Sequence, residues 1–377
     1  MVATDNIWIW QQETWPAFTW QESELAKLLR EITQLQGKLL GRSAAIGESQ
    51  SLKSQMEALL DNAMNTSAIE GEKLNVESVR SSLARRLGIN QAGLLAGTPQ
   101  TDGLADVLMD ATRNPNEPLT HDRLFRWHEW LFPNGHEGLT PIRVGELRNE
   151  DPMQVISGPV GKSKIHFEAP PRDNLETELN QFLDWFGQSR AQAELDPLVR
   201  AGVAHLWFVT LHHFDDGNGR LARAITDLAL AQAEQQSVRF YAMSATIMEN
   251  RKAYYTILEK TQCGGMDVTP WLVWFLNMLK ETLQMADRRI DHVLKKATFW
   301  QQHGQSALNE RQIKVLNRLL DAGPDGFEGG INARKYMSLA DVSKATATRD
   351  LTELVEKGCL VQREGGGRST SYDINWV

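Results

Sequence analysis

Two cysteines in 377 residues, Cys263 and Cys359, are too few and too far apart for a disulfide framework or a thiolate zinc motif. No stretch approaches the about 20 consecutive apolar residues that cross a bilayer, so no membrane span is expected. Excess positive charge is missing as well. The formal net charge of −8 gives no global pull toward nucleic acid or an anionic lipid surface. The first residues lack a basic stretch leading into an apolar core and set Trp8, Trp10, Trp15 and Trp20 among polar neighbours. No export signal is therefore expected, and the cytoplasm is the expected compartment. Strand signals are scarce. What remains is a soluble-protein composition, 41% hydrophobic and 23% charged, in a chain too long for one ordinary core.

Apolar residues at helical spacing (Leu25, Leu28, Leu29, Ile32, Leu35, then Leu52, Met56, Leu59, Leu60, Ala63) predict two helices across 22–63, with Gly37, Gly41 and Gly47 breaking the run. Further helices are expected at 73–86, 102–112, 120–131, 172–189, 196–211, 220–236, 244–261 and 268–298. Thr120, and Asp196 before Pro197, have the chemistry of N-caps. The best strand signal is Met153 to Phe167, interrupted by Ser157-Gly158-Pro159 and Gly161, a hairpin pattern. Three regions follow: a helical extension over 1–100, a helical core with one hairpin over 101–300, and a tail over 305–377. The tail orders a helix at Gln312–Leu320, short helices at 332–340 and 343–357, and two strands around Glu364–Arg368, which resembles a winged helix. Ser343 to Arg349 would open its recognition helix, and Arg363 and Arg368 would lie on the wing, as DNA contact requires. Basic and acidic residues balance across this tail, however, so it carries no electrostatic footprint for DNA, and protein interaction or dimerisation is the default expectation.

The most informative segment is 212–223, His-His-Phe-Asp-Asp-Gly-Asn-Gly-Arg-Leu-Ala-Arg. Gly217-Asn218-Gly219 can turn its amides around an oxyanion, and the Ala- and Leu-rich run after Arg220 puts that turn at a helix N-terminus, where phosphate is stabilised. Asp216 can carry a divalent cation, Arg220 and Arg223 can clamp phosphate oxygens, and His212 is free to act as a base. The bland alternative is a solvated glycine turn between two packed helices. A metal site from His205, His212 and His213 is a further alternative, but His205 sits among Val203, Ala204, Leu206, Trp207 and Phe208, the setting of a core histidine.

The same dozen residues resemble the signature of the Fic family, His-Pro-Phe-x-Asp/Glu-Gly-Asn-Gly-Arg-x-x-Arg, departing only at the proline, here His213. The resemblance implies a mainly α fold, a Fic-type helical bundle with a β-hairpin flap. It implies transfer of AMP from ATP to Ser, Thr or Tyr hydroxyls of target proteins, with His212 as base and Mg²⁺ on Asp216. Gly217, Asn218, Gly219, Arg220 and Arg223 would hold the phosphates. Residues 66–71, Thr-Ser-Ala-Ile-Glu-Gly, match the family's inhibitory motif. Thr66 and Glu70 would share one helix face and Gly71 would be an αL cap. Glu70 would then pair with Arg223 and take it from the γ-phosphate. The flap over 153–167 would bind target backbone as an added strand, with Val155 and Ile156 at the edge and Ile165 and His166 reaching toward the nucleotide. Asn250-Arg251-Lys252-Ala253-Tyr254-Tyr255 is similar to a family segment near the adenine, which implies roles for Tyr254, Tyr255 and Gln262 at the base. A homodimer is also implied. Removal of AMP with Glu70 orienting water, transfer of another phosphate-bearing group, and a nucleotide-sensing DNA-binding regulator remain open alternatives.

Overall fold

The structure, a computed structural model, describes residues 8–44, 46–89, 96–138, 140–158, 164–234, 240–323, 327–364 and 370–376. The chain forms two compact units, Met1–Gly37 with Ser51–Gln284, and Lys38–Gln50 with Met285–Val377. The division thus falls at 37–38, 50–51 and 284–285, each time inside a helix.

Helix α1 (Glu22–Ser43) runs straight through Gly37 and Gly41, which were expected to break it. An interior glycine costs a helix only about 1 kcal/mol, and burial of Leu25, Ile32 and Leu39 along one face outweighs that. Helices α2 (Glu48–Ile69), α3 (Val76–Arg86), α4 (Pro99–Arg113) and α5 (His121–Leu131) follow. Thr120 caps α5 as expected, its hydroxyl accepting from the Arg123 amide. A short pair, β1 (His136–Glu137) and β2 (Thr140–Pro141), comes next, too brief to leave any alternation in the sequence. The expected hairpin is β3 (Gln154–Ser157) against antiparallel β4 (Lys164–Glu168). Its turn residues Pro159 and Gly161 lie outside the described residues. The register jumps between Val155↔Phe167 and Ile156↔Ile165, which leaves His166 as the extra residue of a bulge.

Helices α6 (Arg172–Gln188), α7 (Pro197–Leu211) and α8 (Asn218–Glu234) form the centre of this unit. Residues Leu198 to Leu211 of α7 are all buried, as suits a helix apolar on every side. It packs along α8, which also meets α4. The single helix expected over 244–261 is two, α9 (Met243–Glu249) and α10 (Arg251–Gln262). The Asn250 side chain donates to the Thr246 carbonyl, a local bond that competes with helix continuation. Helix α11 (Thr269–His303) holds α7 closely through Trp271, whose Nε1 donates to the Gly202 carbonyl at 2.9 Å. A Cβ at Gly202 would collide with Leu272 and Phe275.

The second unit orders α12 (Glu310–Leu320), α13 (Ala333–Ala340), α14 (Lys344–Glu356), β5 (Leu360–Gln362) and β6 (Tyr372–Ile374), the two strands antiparallel. Its core is built from Val315, Leu316, Tyr336, Leu351 and Leu354. Lys344, Thr348 and Arg349 of α14 are exposed. Arg363 is paired with Asp373 at 3.4 Å, and Arg368 lies outside the described residues. Among the described residues no helix is long and apolar enough to cross a membrane.

Candidate active site

Helix α7 stops at His212, which takes a left-handed conformation (φ 44°, ψ 60°) and turns the chain back toward α8. Asn218, the first residue of α8, closes the intervening loop on itself. Its Oδ1 accepts from the Phe214 amide at 3.1 Å and its Nδ2 donates to the Phe214 carbonyl at 2.8 Å. Gly217 has φ 80°, and a Cβ there would meet the Phe132 ring. The loop is therefore a rigid turn feeding directly into a helix N-terminus, the geometry that favours anions.

His212 Nδ1 lies against the Val209 carbonyl, which can only accept. Nδ1 therefore carries the proton, and Nε2 is left as the acceptor. Burial holds this imidazole below its usual range, so it is neutral at pH 7. Two side chains that the sequence does not single out fix the loop. Buried Arg148 donates from Nε to the His212 carbonyl at 2.9 Å, from its amide to the His213 carbonyl at 2.9 Å, and from Nη2 to the Pro170 carbonyl. It ties the loop to the chain on both sides of the hairpin. His128 stacks on Phe214 (4.1 Å, 13°), donates to the Asp216 carbonyl at 3.2 Å and accepts from the Gly145 amide. Burial depresses its pKa to about 4. Neither residue stands in a recognisable motif or spacing, so their roles became visible only with the tertiary contacts.

The two arginines of the loop face the end of α2. Arg223, 4% exposed, donates from Nε to Thr66 Oγ1 (2.7 Å) and from Nη2 to Glu70 Oε1 (2.7 Å) and the Thr66 carbonyl. Its Nη1 is buried with no hydrogen-bond partner among the described residues. Helix α2 closes in a Schellman turn: the Glu72 amide donates to the Ser67 carbonyl, the Gly71 amide to the Ala68 carbonyl, and Gly71 has φ 89°. That turn aims two carboxylates at the loop. Glu72, which drew no attention in the sequence, pairs with Arg220 at 3.2 Å. The Arg220 guanidinium also lies 4.8 Å over the Phe132 ring. A Cβ at Gly219 would strike Glu70 Oε1, so a side chain there would displace that carboxylate from its place beside Arg223. Asp216 keeps a 42% exposed carboxylate, 3.7 Å from Arg220 and accepting from the Gly217 amide at 2.5 Å.

Residues expected at the flap and the base are divided. Ile156 and Ile165 are exposed on the hairpin. His166, the bulged residue, is held by Ser157 (2.6 Å) and Glu259 (2.8 Å). Tyr255 is half exposed and donates to the Ile69 carbonyl at 3.3 Å, joining α10 to the end of α2. Tyr254 is buried, packed on Trp271 and Trp274, its hydroxyl bonded to His205 Nε2 at 2.8 Å, so it offers no face to a base. Gln262 is buried too and donates to Thr210 Oγ1 at 3.2 Å. His205 is a satisfied core histidine, its other nitrogen bonded to Thr226 Oγ1 at 2.9 Å. His213 is fully buried beside Phe208, its pKa pushed by burial to about 3. Among the described residues no group of three or more His, Cys, Asp or Glu converges as a metal cluster.

Comparison with known proteins agrees with this geometry. Residues 118–230 match the Fic/DOC family, and residues 8–89 match a domain of unknown function, DUF4172. A protein adenylyltransferase Fic from Nematostella vectensis is 24% identical over 250 residues, covering 65% of this chain and 51% of that protein. A uridine 5'-monophosphate transferase from Xanthomonas campestris pv. campestris is 34% identical over 117 residues, 30% of this chain and 21% of that protein. The chain spans about half the length of the adenylyltransferase relative, or less of the others. A Fic family protein from Desulfovibrio desulfuricans G20 shares the fold with a TM-score of 0.52 at 19% identity, over 95% of this chain and 98% of that one. The match of residues 118–230 to the Fic/DOC family runs through both the histidine presented as acceptor at a helix end and the Gly-Asn-Gly turn behind it.

Proposed function

We propose that this chain is a protein adenylyltransferase held in check by its own helix α2, moving AMP from ATP to Ser, Thr or Tyr hydroxyls of target proteins, its own included. The observation that carries the reading is Arg223. A buried guanidinium with one unpaired nitrogen at the head of an anion-binding turn suits a phosphate, yet its other nitrogens are occupied by Thr66 and Glu70.

In the transfer, the acceptor hydroxyl oxygen attacks the α-phosphorus, its proton passes to His212 Nε2, and the bond to the β-phosphate bridge breaks to release pyrophosphate. The amides of the turn and Arg220 neutralise charge on the phosphates, and most of the acceleration is positioning and electrostatics. A single exposed carboxylate, Asp216, beside a phosphate site fits Mg²⁺, which typically takes one or two protein carboxylates together with substrate phosphates. When bound there it would supply charge neutralisation on the phosphates. Glu70 on Arg223, and Glu72 on Arg220, keep both arginines from the nucleotide until α2 yields. The hairpin, with Ile156 and Ile165 exposed, would dock an extended acceptor segment. Tyr255 is the residue with surface to offer a base. A second reading, transfer of UMP, is favoured by the uridine 5'-monophosphate transferase relative and changes only the donor nucleotide.

The test is incubation of purified protein with Mg²⁺ and α-labelled ATP or UTP, comparing wild type, Glu70→Gly and His212→Ala. Strong labelling from ATP by Glu70→Gly, little by wild type and none by His212→Ala is expected. Labelling from UTP alone would select the second reading, and labelling that survives His212→Ala would overturn both.

A further inference from the structure

The tryptophans near the start of the chain belong to a segment that crosses the active-site unit. Residues 8–21 precede α1 and begin with a 3-10 turn, Ile9–Gln11, that packs beside α10. Trp8 meets Phe167 of β4 edge-on, ring centroids 5.5 Å apart. Phe167 is 1% exposed, and its ring also lies 6.3 Å from the His212 ring, centroid to centroid. Trp10 Nε1 donates to the Glu168 carbonyl, the last of β4, at 2.7 Å. Further on, Trp15 donates to Glu178 of α6 at 2.9 Å and packs, with Phe18, against Trp207 of α7. Thr19 then bridges to the turn between α10 and α11, accepting from the Val268 amide and donating to the Met266 carbonyl. The segment touches β4, α6, α7, α10 and the start of α11, yet none of these contacts is to Asp216, the glycine turn, Arg220 or Arg223.

We propose that residues 8–21 are a positioning strap that sets the hairpin over His212, with Trp8 and Trp10 as its positioning residues, so that it governs docking of the acceptor polypeptide and leaves nucleotide binding alone. The acceptor half of this statement rests on the transferase reading above. The physical logic is that a two-stranded hairpin is marginal on its own and needs an outside support to hold a fixed register. On one side Glu259 grips Lys164 and His166. The strap supplies the support at the other end of β4, where Phe167 and Glu168 lie. An indole N–H on a strand carbonyl fixes that strand along its length, and the Trp8–Phe167–His212 contact fixes its distance from the base. The match of residues 8–89 to a domain of unknown function gives that domain a concrete task in this chain.

The test uses the full chain carrying Glu70→Gly, with and without Trp10→Phe, which keeps an aromatic ring but removes the N–H donor together with part of the indole surface, and with Trp8→Ala. Amide hydrogen exchange is read at 154–157 and 164–168, with α8 as internal control, together with ATP affinity. Transfer kinetics are read with the His212→Ala chain as acceptor. Loss of one strand-fixing bond should speed hairpin exchange by about five- to tenfold, with α8 exchange and ATP affinity unchanged, and should raise the acceptor KM more than it lowers kcat. Unchanged hairpin exchange, or acceleration spread equally into α8, would overturn the strap. Failure of the transferase reading would show separately, as no transfer by Glu70→Gly with the strap intact, while the exchange measurement still decides the strap's role at the hairpin.

Discussion

On the proposed reading, Arg223 serves two opposed states. Its Nε and Nη2 are bound by Thr66 and Glu70, so a nucleotide would have to compete for a guanidinium already engaged on two sides. Thr66→Val removes one neutral hydroxyl acceptor worth about 1 kcal/mol, and basal transfer should rise about fivefold, far less than with Glu70→Gly. A rate equal to wild type would show that Thr66 is only packing. Glu72 supplies a second contact of the same kind on Arg220. In a Glu70→Gly background, Glu72→Gln should lower the ATP KM further with kcat little changed, because it frees a phosphate ligand without touching the base. An unchanged KM would remove Glu72 from the lock. On the proposed mechanism the acid side of the pH profile belongs to His212. Burial disfavours its charged form, so the base form persists below the usual imidazole range. Transfer by Glu70→Gly should therefore stay level down to about pH 6.5 and fall only below it. An acid limb centred above that value would mean that another group is the base.

At the scale of elements, the turn between α7 and α8 rests on histidines kept neutral by burial. His128 is depressed to about 4, and His205 and His213 to about 3. Their folded pKa values lie below the unfolded value of about 6.5. Between those limits the unfolded chain binds more protons, so stability is complete above about pH 6.5 and declines as pH falls, by up to about 1.4 kcal/mol per pH unit for each histidine. His213 is the telling case, because both ring nitrogens are buried with no hydrogen-bond partner among the described residues. His213→Leu removes that unmet polarity and should raise the urea midpoint at pH 5 relative to wild type, with less gain at pH 7.5. An equal loss at both values would show that the ring is held by packing alone. These elements also show what the sequence can carry. Cap residues and apolar spacing located α4 to α8, and the glycine pattern located the tight turn between α7 and α8, because their causes are local. Arg148 and His128 act through contacts made by folding, the former to carbonyls 64 and 22 positions away. Tyr254, expected at the base, is instead buried with its hydroxyl on His205, a partner on another helix 49 residues distant that no local pattern shows.

Across the whole molecule, charge and the second unit bear on partners. Net charge is −8, and α14 exposes only a short basic face at Lys344 and Arg349. Duplex DNA should not bind the full chain at physiological ionic strength, since few phosphates would be neutralised. Tight, salt-dependent binding lost on Arg349→Ala would instead support a regulator. The element order of this unit was legible in the sequence because each helix there has its own cap and apolar face, whereas what it binds was not, because no charge pattern selects a partner. The division of the chain at 284–285 was likewise hidden, since α11 runs through it without a break in its pattern. The central proposal, a nucleotide-transfer site held closed by α2, is tested most directly by intact-mass measurement of Glu70→Gly after incubation with ATP and Mg²⁺, beside wild type. An increment of one AMP on the variant and none on wild type is the expected result. An increment of a phosphate, or equal modification of both proteins, would contradict it.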